Sequence, residues 1–286
     1  MMETVTFTNS RGESLLLGTS KPFYLERITG TGGVPSNILS TKSPYQDGSS
    51  FIDMQLADRP INIRGGIIAR SRQEMYQYRR DFMRILNPKL GLGTLVYTNS
   101  ARSYAIKAVV EGTPEFDERI VSNQPFNINF ICPDPYFTDQ TQISKGLRFE
   151  EGGLTFPLRL PTQFAFSSYQ GIFQNDGDVP TPVEIHYKGP ALNPVVTNET
   201  TGEYIKIKYD LSEDDVLVIN TAFGRKRVEV VNPDGTRTNV FHWIDLGSTF
   251  FQLELGQNTL IYDSDREGDR AVATVTIFWN NRYGGG

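Results

Sequence analysis

The side chains able to do chemistry in this 286-residue chain are few and scattered. The two histidines, His186 and His242, lie far apart in sequence, so no metal site resting on imidazoles is predicted. Cys132 is the single cysteine, which rules out an intrachain disulfide and a multi-cysteine zinc site. It precedes Pro133 and has no basic neighbour in sequence, so an inert, buried thiol is expected rather than a nucleophile. Two acidic runs carry clustered oxygens of the kind a hard cation takes: Asn175, Asp176 and Asp178, and Asp263, Asp265, Glu267 and Asp269. Neither has the spacing of a recognised calcium loop, and solvated turns are the plainer reading. Trp243, Trp279, Tyr169 and Tyr187 offer ring faces on which a sugar could stack, although aromatics on strands more often fill a core. Asn198-Glu199-Thr200 matches a glycosylation sequon, which has meaning only in a secreted eukaryotic protein.

The familiar catalytic signatures are missing. There is no G-x-S-x-G elbow, H-E-x-x-H pair, Walker loop or C-x-x-C. Gly30-x-Gly32 and Gly91-x-Gly93 lack the third glycine and helix start of a dinucleotide loop, and count as turns. No catalytic, cofactor-binding or metal-binding constellation is assigned, and the chain is expected not to be an enzyme. A wall-degrading hydrolase would need two positioned carboxylates or a metal, and no motif places them.

The composition states what must position these residues. Aromatic content of 12% with frequent Val, Ile and Thr favours strands, and 26 Gly with 16 Pro supply the turns of a mainly β protein. The length suits two ordinary domains. The formal charge is −5 and no basic run of five or six residues occurs, which argues against a nucleic-acid-binding surface. Met1 to Ser14 lacks the apolar centre of a signal peptide, and no stretch approaches the roughly 20 apolar residues of a membrane span. A soluble protein with no membrane insertion is expected, and the lone cysteine is compatible with a reducing birthplace such as the bacterial cytoplasm.

The boundary is predicted at Phe126-Asn-Ile128-Asn-Phe130-Ile-Cys132-Pro-Asp134-Pro135-Tyr136-Phe137. Its first half alternates with period two, as a half-buried strand does. Pro133 and Pro135 then stop the strand, and Asp134 favours a turn. Residues 1–137 are taken as one body and 138–286 as another.

In the first body, Thr4–Thr8 and Ser14–Leu17 flank a turn at Asn9–Gly12, and Pro22–Ile28 continues in strand pattern. Gly30 to Ser50 is rich in Gly, Ser and Pro. It is read either as a mobile surface loop or as an arm ordered against a neighbouring subunit. Asp53–Ala69 resumes strand pattern around Gly65-Gly66. One helix is predicted: Ser71-Arg72-Gln73-Glu74 fits a capping box, Met75, Tyr78, Phe82, Ile85 and Leu86 form an apolar stripe, and Asn87-Pro88 ends it. Arg72, Arg79, Arg80 and Arg84 fall on other faces, solvated or turned to a partner. Strands at Thr94–Tyr97 and Tyr104–Val110 follow. The second body reads as a sandwich or jelly roll of short strands, including Val183–Tyr187, Ile205–Tyr209, Val216–Ile219, Val228–Val231, Val240–Trp243 and Ala271–Trp279, with Gly284–Gly286 a frayed end.

Three stretches together resemble the distal tail (Dit) proteins of siphophages, the tail-tip and baseplate hubs of long-tailed phages of Gram-positive bacteria. Phe130-Ile-Cys132-Pro133-Asp134-Pro135-Tyr136-Phe137 is similar to the strand end that closes that family's N-terminal domain. Arg79 through Asn87-Pro88, then Gly91 to Tyr97, resembles its helix and the run after it. Asn175-Asp176-Gly177-Asp178, Pro182, Gly189, Asn193-Pro194, Asn198 to Gly202 and Gly256-Gln257-Asn258 resemble its C-terminal sandwich. Gly30 to Ser50 matches no motif of the family.

The resemblance implies a mainly β fold: an N-terminal antiparallel β-sandwich or split barrel with one α-helix and an extended arm, and a C-terminal jelly-roll sandwich, galectin-like or carbohydrate-module-like. It implies a structural virion protein forming a homo-hexameric ring at the distal end of a phage tail, assembled in the bacterial host cytoplasm. Implied partners are the tail tube protein, a tail-associated lysin or tail fibre, and baseplate or receptor-binding proteins through the C-terminal domain, with DNA passing through the channel. The alternative is a carbohydrate-binding adhesion module that contacts host cell-wall glycans.

Overall fold

The computed structural model describes residues 3–118, 122–147, 150–151, 167–168 and 170–286. The chain is mostly β, and its long ladders are antiparallel. It divides into two compact units, one comprising Met1–Gln140 with Tyr283–Gly286 and the other Thr141–Arg282.

In the first unit the strands are β1 (Thr4–Thr8), β2 (Ser14–Leu17), β3 (Phe23–Thr29), β4 (Ser36–Thr41), β5 (Ser50–Leu56), β6 (Arg59–Ile68), β7 (Gly93–Thr98), β8 (Ser103–Val110), β9 (Glu115–Phe116), β10 (Asn123–Cys132) and β11 (Phe137–Asp139). The main sheet has the order β2-β1-β7-β8-β10-β6-β3 and does not close into a barrel. β10 organises it. Its full length pairs with β6, and its other edge is shared by β8 at Phe130 and β9 at Phe126. The period-two pattern of Phe126, Ile128 and Phe130 puts all three into the core.

Helix α1 (Arg72–Ile85) covers that core. Its apolar stripe turns inward, and Phe82 meets Phe126 at 4.6 Å, Phe23 at 5.6 Å and Phe116 at 5.7 Å between ring centroids. Gly65 in β6 makes room for this stack. A Cβ there would meet the Tyr24 carbonyl oxygen at 2.2 Å and the Phe126 ring at 2.7 Å, so no larger residue fits. Ser71 caps the helix by accepting from the Glu74 amide at 3.1 Å. The Glu74 carboxylate reaches back one residue further than a capping box predicts, accepting from the Arg70 amide at 2.6 Å.

After β10 the proline elbow turns the chain within the first unit, and β11 pairs with β8 before the chain leaves. The end of the chain also belongs here. The predicted frayed end is instead tied down: Tyr283 is buried against Tyr104 at 5.3 Å, and the Gly286 amide donates to the Thr31 carbonyl at 2.8 Å.

The second unit is two sheets face to face. One runs, in spatial order, Ile143–Leu147, Thr274–Trp279, Thr181–Lys188, Val216–Asn220, Arg227–Val231 and Arg237–Asn239. The other runs Gln170–Asn175, Gly256–Asp263, Val195–Asn198 and Glu203–Lys206. Rings bridge the layers, with Phe173 against Trp279 at 5.6 Å and Tyr187 against Tyr262 at 5.8 Å. Two predicted strands differ. Phe241–Trp243 is a single 3-10 turn, and the last strand begins at Thr274 after a short helix, Asp269–Val272. Both segments are apolar enough for a strand but lack a ladder partner at that point in the sandwich.

Candidate functional site

The segment with the plainest unmet need is the arm. Among the described residues β4 and β5 pair only with each other, in register from Ser36↔Leu56 to Thr41↔Ser50, with a bulge after Leu39. Sequence predicts a loop or arm over Gly30–Ser50; the structure shows a hairpin that extends to Leu56. Every residue of both strands is exposed. Pairing puts Ile38 and Met54 on one face with Leu56, and past the bulge the pair Ser40↔Phe51 adds Phe51 to that face, with Ile52 the extra residue of the bulge. The opposite face carries Asn37, Asp53 and Gln55 beside Leu39. Ile38 is 64% exposed, Ile52 62% and Phe51 67%. An isolated two-stranded hairpin is marginal in water, and a large apolar patch without cover marks an interaction surface.

The base of the hairpin is rigid. Gly30 adopts φ +90°, and a Cβ there would meet the Pro60 carbonyl oxygen at 2.1 Å. The Ala57 amide donates to the Pro35 carbonyl at 2.8 Å and closes the neck. Beneath it lies Arg59, whose side chain is fully buried. Its Nε donates to the Pro135 carbonyl at 2.6 Å, and its Nη1 donates to the carbonyls of Gly30 and Gly32, each at 2.7 Å. Nη2 donates to the Gly284 carbonyl, and the guanidinium lies 4.8 Å from the Phe137 ring centroid. One cation thus fastens the arm, the proline elbow, β6 and the chain end. Burial lowers its pKa from the ordinary arginine value.

Cys132 lies close enough to feel this charge, a basic neighbour that the sequence does not reveal. Burial still outweighs the attraction and pushes the thiol pKa up to about 12. The thiol is therefore inert at neutral pH, and alkylation by iodoacetamide at pH 8 is expected to be undetectable in the folded chain and complete in denaturant. The fold keeps the thiol neutral, so this contribution to stability is full below the unfolded thiol's pKa. It is lost as pH rises through the folded one, and a denaturation series across pH 8 to 12 would show the decline.

The other residues singled out by sequence do not converge. Asn175 is buried and donates to the Val179 and Leu253 carbonyls at 3.0 and 3.1 Å, holding its turn. Asp263 pairs with Arg270, Asp265 with Lys206 at 2.8 Å, and Asp269 accepts from the Leu192 amide and from Ser264. Among the described residues no group of three or more His, Cys, Asp or Glu side chains could hold a metal ion. His186 meets Glu184 at 2.9 Å, while His242 lies on the 3-10 turn. Trp279 and Tyr187 are core, and Trp243 is half-buried and stacked on Tyr209 at 4.5 Å. Tyr169 lies outside the described residues. Asn198 of the sequon is fully buried. Of the helix arginines, Arg79 lies over Phe116 at 4.5 Å, Arg84 pairs with Glu13 and Asp81, and Arg72 and Arg80 are exposed. No described helix is long and apolar enough to cross a membrane.

Comparison with known proteins now bears on these two units. A family model described as phage tail protein RIFT-related domain matches residues 10–132, and a second, described as siphovirus-type tail component, C-terminal domain, matches residues 176–283. No curated protein matches the chain. Among solved structures, the crystal structure of the Dit protein of phage SPP1, described as a paradigm of the hub adsorption apparatus in phages infecting Gram-positive bacteria, aligns with a TM-score of 0.70 at 10% identity. It covers 97% of this chain and 98% of that one. The baseplate of phage P2 in its activated conformation aligns with TM-scores of 0.59 in the calcium form and 0.57 in the strontium form. Identities are 13% and 14%, and coverage is 97–98% of both chains. At these identities the structures show a shared fold, and the two family models take up most of the sequence.

The class so defined is a β-built structural component of phage tails. More narrowly, the chain belongs to the siphophage distal tail (Dit) family, the hub proteins of the tail baseplate.

Proposed function

We propose that six copies of this chain close head to tail into a ring at the distal end of the tail, joining the tail tube to the tip and its receptor-binding apparatus. The role is mechanical and involves no catalysis, and assembly takes place in the bacterial host cytoplasm before the virion is complete. The observation that carries this reading is the fully exposed β4–β5 hairpin on its rigid Arg59 base. Its apolar face gains cover from the next subunit, a heterologous contact of the kind that generates closed rings.

The main sheet supports a channel role. Its face turned from the core is lined by short uncharged polar side chains, among them Thr6, Thr94, Asn62, Asn127 and Asn129. Asn62 donates to the side-chain oxygens of both Asn127 and Asn129 at 2.6 Å, while the exposed cations on the strands of this sheet are Lys107, Arg64 and Arg27, the last paired across the strands with Arg64. Three cations on an otherwise uncharged polar face give a polyanion few phosphate contacts, which favours passage over retention. Partners at the ring's two faces are the tail tube protein above and a tail-associated lysin or fibre below, with baseplate or receptor-binding proteins held by the second unit. Gold-labelled antibody against this chain should decorate tails at the distal end alone; label along the tube or at the head junction would refute the assignment.

A further inference from the structure

We infer that the Ala222–Lys226 turn of the second unit, together with Phe241 and Phe250, is a docking surface for an acidic segment of another tail protein that inserts an apolar side chain. The inference rests on the hub reading and names one surface by which the second unit holds a partner.

The turn is built to present its tip. Thr221 is buried, accepting the Val183 amide at 2.9 Å and donating to the Val183 carbonyl at 3.2 Å. The Asn220 side chain accepts from the Ala222 amide at 2.9 Å, and the Arg225 amide donates to the Ala222 carbonyl at 3.0 Å. With Gly224 at φ +70°, Phe223 is left 86% exposed at the apex. An aromatic ring held in water by a well-bonded turn gains nothing for the isolated fold.

The surroundings extend this ring into a surface. Lys226 Nζ lies 4.9 Å from the Phe223 centroid and 5.3 Å from that of Phe250. Phe241 stacks on Phe250 at 5.7 Å with 12° between planes, and Phe250 packs against the sandwich core. The three rings and the ammonium therefore form one patch rooted in rigid structure. Phe241 is 40% exposed and Phe223 more so, which leaves a ring surface open for an anchor.

Charge chooses the occupant. The next arginines along the same strands are neutralised within the unit, Arg227 by Glu184 at 3.0 Å and Arg237 by Glu229 at 3.1 Å. Arg225 and Lys226 have no carboxylate partner among the described residues. Lys226 meets rings instead, and a cation held over aromatic faces and then covered demands an anion. A neutral saccharide would need planar hydrogen-bonding side chains beside the rings. Sugar hydroxyls also need acceptors there, and the two nearby amide oxygens are taken, that of Asn220 by the Ala222 amide at 2.9 Å and that of Asn239 by the Phe241 amide at 2.9 Å. Two cations at this patch, in a chain of net charge −5, are too few to hold a nucleic acid. Carboxylates flanking an apolar side chain satisfy both halves of the patch.

The test places a benzophenone amino acid at Phe223 in assembled tails that contain this protein, with a second probe at Ile38 on the arm as control. The expected product from position 223 joins this chain to a different tail protein, within a segment where Asp or Glu flanks an apolar residue. Arg225→Glu with Lys226→Glu should cut that yield about tenfold or more, and Lys226→Arg should preserve it. A product with another copy of this chain, a product with a saccharide, or silence at 223 while Ile38 links copy to copy would overturn the inference alone. Silence at both positions would overturn the ring and this surface with it.

Discussion

Arg59→Ala should lower the stability of the first unit by on the order of 3–5 kcal/mol. The wild-type side chain is fully buried and donates to four main-chain carbonyls, those of Gly30, Gly32, Pro135 and Gly284. Alanine leaves those oxygens facing a cavity instead of donors, and each buried acceptor without a partner costs about 1–3 kcal/mol. Relief from desolvating the guanidinium offsets part of this, which keeps the net below the sum. For a unit of this size the change corresponds to a melting shift of roughly 10 °C or more, read by calorimetry. Arg59→Lys should recover less than half of the loss. One ammonium replaces the charge but cannot direct donors in the plane that the carbonyls require. Hydrogen exchange should rise at the Gly286 and Ala57 amides, which donate to the Thr31 and Pro35 carbonyls, because the base of the hairpin loses its clamp. A shift below about 2 °C would mean that the carbonyls find other donors and that Arg59 is not the clamp.

The second large effect is on assembly. Replacing Ser36–Leu56 by a short Gly-Ser linker should leave the sheet intact, since every residue of both strands is exposed in the single chain. Circular dichroism per remaining residue and the melting temperature should change little. Association should weaken by roughly a thousandfold per contact. Ile38, Phe51, Met54 and Leu56 are each exposed between 38% and 67%, and covering each recovers about 1 kcal/mol, which sums to about three decades in affinity. The milder combination Ile38→Ser, Phe51→Ser and Met54→Ser keeps the hairpin and removes its apolar face. It should fall between the two, as read by sedimentation velocity.

What could be read from sequence divides along physical lines. Phe126, Ile128 and Phe130 announce their strand because period two is a local property, and the Ser71 cap with its Met75–Leu86 stripe announces the helix in the same way. The arm is harder. Its first strand, Ser36–Thr41, has only two large apolar residues, and its second merges with the apolar run that leads into β6. Only the partner strand shows where the hairpin ends and that Ile38 shares a face with Met54. Arg59 is illegible for a stronger reason. Its acceptors are main-chain carbonyls, which every residue possesses, at separations of 27, 29, 76 and 225 positions. The one hint is a charged residue opening a strand of otherwise buried alternates.

The second unit repeats the lesson. Tyr187 and Trp279 behave as strand aromatics do and enter the core. Phe223 had no pattern to mark it, because a ring in a turn becomes notable only when the turn is seen to hold it in solvent. Among the acidic residues, Asp263, Asp265 and Asp269 are adjacent in sequence, yet the strand end and short helix send each to a different cation or amide.

The mass of the purified 286-residue chain in native conditions tests the ring most directly. At micromolar concentration a dominant species of six times 32.2 kDa is predicted, giving way to monomer when Ser36–Leu56 is removed. A chain that stays monomeric with its arm intact, or a hexamer indifferent to the arm's removal, would contradict it.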